Sequence, residues 1–160
     1  MNSKKWTLVK CIAIPLAVGA ASAFLSSGGM HTFATLNKPP LSPPGWLFPV
    51  VWTILYVLMG IASYLVYTSN AEEEQVAKAL TVYGYQLVVN FLWSIFFFDF
   101  GWYLFSFFWL ILLWILIFWT IRLFGSISKM AAYLLIPYLV WVTFAGYLNL
   151  GIWWLNTPVQ

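Results

Sequence analysis

The stretch Trp102–Phe124 reads WYLFSFFWLILLWILIFWTIRLF. Beside the phenol of Tyr103, its only polar side chains before Arg122 are Ser106 and Thr120. About 20 apolar residues in a helix rising ~1.5 Å per residue cross the ~30 Å hydrocarbon core of a bilayer. This segment therefore reads as a membrane span. Working outward, four more runs of the same kind cover 6–25, 46–67, 79–98 and 130–155, with breaks between them too short for another domain. Across 160 residues, 63% are apolar and only 7% charged, against about 25% charged in soluble domains. That composition excludes a soluble enzyme, a disordered chain and a conventional nucleic-acid-binding domain. The expected fold is an all-α integral membrane protein, a bundle of five transmembrane helices forming one domain over residues 1–160. Eleven Trp, nine Tyr and fourteen Phe exceed what two interfacial belts need, so some must line helix contacts or a cavity.

The connections set the orientation. With five spans, Lys4, Lys5, Lys10, Lys78, Arg122 and Lys129 share one side, and Lys38 alone lies on the other. Basic residues are retained in the cytoplasm, which predicts a cytoplasmic N-terminus and an outside C-terminus in the cell membrane. The first connection, Ser26–Gly45, holds the only histidine, His31, and the cluster Pro39, Pro40, Pro43 and Pro44. Proline fixes φ and removes donors, so this loop is expected to be stiff and non-helical. Lys4 and Lys5 ahead of an apolar run, with Ala21-Ser22-Ala23 after it, also form a signal-peptide pattern, the rival reading of the first span. Cys11 is the only cysteine, which excludes an intrachain disulfide.

The inventory is poor in reactive groups. One His and one Asp, Asp99, have no evident serine partner for a triad. A lone His without a Cys or carboxylate cluster makes no metal site, and there is no phosphate loop or basic stripe. The informative pattern lies in the third span, where Tyr83, Gln86, Asn90, Trp93, Ser94 and Phe97 fall on one helical stripe. Amides facing lipid would be unpaired at several kcal/mol each, on the order of magnitude of lost hydrogen bonds. Gln86 and Asn90 therefore face the interior, either as interhelical glue or as polar groups of a ligand cavity. The second span adds Trp52, Tyr56, Gly60 and Ser63. The fifth adds Pro137, Trp141, Phe144, Ala145, Leu148 and Asn149. Three inward aromatic faces beside small or amide residues would suit a planar, largely apolar ligand. The apolar face of 102–124 suits lipid or a second copy of the chain.

These segments resemble the TspO/MBR family, the translocator or tryptophan-rich sensory proteins, from about Leu36 to Asn156. The motifs are Lys38-Pro39 with Pro43-Pro44-Gly45-Trp46, then Pro49-Val50-Val51-Trp52-Thr53 with Leu55-Tyr56 and Met59-Gly60. Gln86-Leu87, Asn90, Trp93 and Phe97-Phe98 precede Gly101-Trp102, and Pro137-Tyr138-Leu139, Trp141, Phe144-Ala145 and Leu148-Asn149 close the series. The resemblance implies that the first span is kept, that the bundle is a homodimer in the lipid bilayer, and that a pocket near the proline loop binds porphyrins. No cofactor is obligatory, and protoporphyrin IX or haem enters as a ligand. The family's pocket positions fall on Phe48, Trp52, Asn90, Trp93, Trp102, Trp141, Phe144, Ala145 and Leu148. Two departures stand out. Leu41 occupies a position where the family usually has Trp. Leu150 and Trp154 replace the Tyr and Arg of the sterol motif proposed for vertebrate relatives, which argues against a sterol ligand.

The resemblance implies a porphyrin-binding membrane protein acting as sensor, scavenger or transporter, with Trp52, Trp93 and Trp141 stacking on the ring and Asn90 bonding a polar edge. Lys38 or His31 stands where a propionate could meet it. One alternative is a light- or oxygen-dependent porphyrin-degrading enzyme using Trp52 and Trp141. The other is a regulatory scaffold with no obligate small ligand.

Overall fold

The structure, a computed structural model, describes residues 2–157; Met1 and residues 158–160, the ends of the expected 1–160 unit, lie outside it. The described residues form helices α1 (Ser3–Leu25), α2 (Ser27–Ala34), α3 (Leu47–Tyr67), α4 (Glu73–Ser94), α5 (Tyr103–Gly125) and α6 (Lys129–Asn156), with a π-helical turn, Ile95–Asp99, extending α4. Five of these helical segments, all except α2, are long and apolar enough to cross a membrane. The chain is an all-α multi-pass membrane protein.

The long helices close a ring in the order α1, α3, α6, α5, α4, with α4 returning to α1. Lipid tails are as apolar as leucine, so close backbone approach and polar bonds must hold such a ring together. Gly60 supplies the approach between α3 and α1. A Cβ there would lie 2.5 Å from the Ile12 Cα and 2.8 Å from the Cys11 carbonyl oxygen. The polar bonds run through the centre. Tyr56 of α3 donates to Asn90 Oδ1 of α4 (3.1 Å), Asn90 Nδ2 donates to Tyr138 Oη of α6 (2.6 Å), and Tyr138 donates to Gln86 Oε1 (2.6 Å). Trp93 Nε1 donates to Asn149 Oδ1 (3.1 Å), whose amide donates to the Tyr103 carbonyl (2.7 Å) and so joins α4, α6 and α5.

Three boundaries differ from the sequence reading. Residues 27–34 are helical, although the whole 26–45 connection was expected to be non-helical. The proline effect acts only from Pro39 onward, and α2 gains its stability by resting on the π-turn. Gly29 is the contact point: a Cβ there would lie 2.1 Å from the Phe98 carbonyl oxygen. The third span begins at Glu73 rather than 79, because Glu73 and Glu74 occupy the first turn, where acidic side chains favour the positive end of the helix dipole. At its other end the backbone widens. Phe100 N donates to the Ile95 carbonyl (3.1 Å) and Trp102 N to the Phe96 carbonyl (3.0 Å), a geometry that recurs near functional sites.

The proline loop is tied down at its far side. Asn37 N donates to Asn156 Oδ1 (3.0 Å), Asn156 Nδ2 donates back to the Asn37 carbonyl (2.8 Å), and Tyr147 Oη donates to the Pro40 carbonyl (2.7 Å). α6 thus fixes the loop over one end of the bundle.

Candidate functional site

A cavity of about 890 Å³ opens at that end of the bundle. α1, α3, α6, the end of α4 and the π-turn form its walls, and α2 with the proline loop covers it. Each wall follows from local sequence. α3 begins at Leu47, so Phe48, Trp52 and Tyr56 stack along one face at helical spacing. Trp52 and Tyr56 are stacked with ring centroids 5.5 Å apart. The π-turn keeps Trp93 and Phe97 on the cavity side, stacked at 5.1 Å. α6 contributes Ala145, Leu148, Asn149 and Ile152. The small side chain of Ala145 leaves room where a larger one would intrude.

Among the described residues lining the cavity there is no Asp, Glu, Arg or His; Lys38 is the single charged side chain. Its ammonium donates to the carbonyls of Ala34 (3.4 Å) and Leu36 (3.3 Å) and sits 4.9 Å from the Phe33 ring centre. Hydroxyls of Ser22, Thr53, Tyr56 and Ser94, the Asn149 amide and the indole N–H groups of Trp52 and Trp93 are the other polar side-chain groups of the lining residues. Such a chamber can hold a large apolar body against indole and phenyl faces and offer one cation at its mouth. It presents no nucleophile–base pair.

Of the expected pocket residues, Phe48, Trp52, Trp93, Ala145 and Leu148 line the cavity. Asn90 lies behind Tyr56, only 2% exposed, with its amide committed to Tyr56 and Tyr138. Gln86 and Asn90 are interhelical glue in this structure. Trp141 stands behind Phe48, edge-on at 5.8 Å, and its indole N–H is buried without a partner. Phe144 packs against Trp141 at 5.7 Å. Trp102 is 52% exposed on the outer side, stacked on Phe96 at 5.9 Å. His31 is exposed on α2 and is not part of the wall, and Leu41 is 84% exposed and also outside it. Leu41 adopts the left-handed φ of 69.

The sequence reading missed the α1 wall and Phe33. Leu16, Gly19, Ala20 and Ala23 line the cavity, and their i, i+3, i+4, i+7 spacing of mostly small residues is a legible helix-face signal. Phe33 lies on the helix that sequence reasoning did not expect.

A family model described as "TspO/MBR family" matches residues 11–155. The chain is similar to the tryptophan-rich protein TspO of Chlorobaculum tepidum, with 42% identity over 98% of this chain and 99% of the relative. It is similar to the protein CrtK of Rhodobacter capsulatus, with 38% identity over 86% of this chain and 85% of that one. The human translocator protein is 34% identical over 89% of this chain and 85% of its own length.

Proposed function

This chain belongs to the TspO/MBR family, and from that premise we propose that it binds a porphyrin in the aromatic cavity, acting as a sensor, scavenger or transporter in the cell membrane. The observation that carries this reading is the shape and lining of the cavity. Its volume of about 890 Å³ lies in the range of roughly 300–1,000 Å³ typical of small-molecule sites. Trp52, Trp93, Phe48 and Phe97 supply flat apolar faces, which suit a planar macrocycle through stacking and desolvation. Relatives carry the names tryptophan-rich sensory protein and translocator protein, which fit sensing or transport better than catalysis. In this reading the N-terminus is cytoplasmic, the cavity end faces outward, and the unit is a homodimer.

The test is a titration of protoporphyrin IX into the purified protein, following tryptophan quenching and the porphyrin spectrum in dark and light. Saturable quenching with a spectrum stable in light is expected. Loss of the porphyrin band in light, abolished by Trp52→Phe, would replace the binding reading with degradation. Absence of saturable binding would overturn both.

A further inference from the structure

We infer that Lys38 selects the ligand by its carboxylate: the cavity takes a large apolar ligand that carries an acid group, and the Lys38 ammonium meets that group at the mouth. This inference rests on the porphyrin-binding reading and adds to it the part of the ligand that is discriminated. Six of the seven Lys and Arg residues lie at the opposite end of the bundle, and Lys38 is the single exception. That exception lies on the cavity wall. Its partners are two carbonyls at 3.3–3.4 Å and one ring face, none of them anionic. An ammonium has three donors, and bonds near the outer limit of hydrogen-bond length are readily exchanged for a shorter charge-assisted one. The rest of the wall contains no acid. Asp99, the acidic side chain at this end, is exposed at the last position of the π-turn and outside the wall. A carboxylate in this chamber therefore meets one cation and no opposing anion, in surroundings of low dielectric where the attraction is strengthened. His31, the other basic side chain at this end, is exposed and does not line the cavity.

The experiment compares protoporphyrin IX with its dimethyl ester, which has the same ring and no acid. Both are titrated into the wild-type protein, Lys38→Met and Lys38→Arg, each checked for folding by its thermal transition. The quantity read is the acid-to-ester affinity ratio within one detergent, so partition of the two porphyrins cancels between proteins. The wild-type protein is expected to favour the acid about tenfold over the ratio found for Lys38→Met. Lys38→Arg should keep the preference. Oleate serves as a second source of the same carboxylate chemistry. Its failure to displace the acid porphyrin supports the propionate assignment, and displacement that disappears in Lys38→Met supports the cation site with an acyl body. Equal ratios in wild type and Lys38→Met, with both porphyrins bound, would overturn the role of Lys38 and leave porphyrin binding standing. No saturable binding of either form to the wild-type protein would overturn both.

Discussion

Asn90 shows how much one amide can do in a bilayer interior. It accepts from Tyr56 and donates to Tyr138, so three helices meet at one side chain. Asn90→Leu removes both bonds and strands the Tyr56 hydroxyl, while Tyr138 keeps its bond to Gln86. At about 1 kcal/mol per interhelical bond, the expected loss is ~2 kcal/mol of stability, read as a lower thermal midpoint in detergent. Porphyrin affinity of the folded fraction should stay close to wild type, since Tyr56 and not Asn90 faces the cavity. A mutant of normal stability with weakened porphyrin binding would instead place Asn90 on the ligand. The sequence made the inward face of Asn90 legible through its spacing. It did not reveal which partner the amide takes, because the acceptor and donor come from residues 34 and 48 positions away. Leu41 carries the same lesson in reverse. A change from the Trp expected there reads as a lost pocket wall, yet Leu41 is 84% exposed and does not line the cavity.

At the scale of elements, the five spans were legible because hydropathy at bilayer length is a strong signal. α2 was not, because Ser27-Gly28-Gly29-Met30 has poor intrinsic helix propensity and the helix depends on a tertiary rest against Phe98. The π-turn was equally hidden, since one extra residue per turn leaves no mark on composition. The α1–α3 seam gives a direct test. Gly60→Val places a branched side chain against the backbone of Ile12 and Cys11, which cannot yield as a side-chain tip would. The expected cost is at least ~2 kcal/mol, seen as a lowered thermal midpoint. Gly84→Ala is the control: a Cβ there meets nothing within 4 Å, and its midpoint should hold or rise. Equal effects at the two glycines would remove the seam as the reason for Gly60.

For the whole molecule, the asymmetry of charge predicts its orientation. On a Cys11→Ser background, Ser42→Cys in the proline loop should react with a membrane-impermeant maleimide on intact cells. Ser126→Cys, in the α5–α6 connection, should react only after the cells are opened. The reverse pattern would invert the proposed topology and turn the cavity mouth toward the cytoplasm. The cover over that mouth also has a temporal consequence. Its far side is fastened to α6 through Asn37, Asn156, Tyr147 and Pro40, while α2 rests on the π-turn at Gly29. A ligand that passes beneath α2 crosses the same barrier inward and outward. Loosening that resting point then speeds capture and escape by a common factor, leaving occupancy at equilibrium unchanged. In the proposed binding reading, the chamber's walls would set which molecule stays, and the eight-residue helix above them would set for how long.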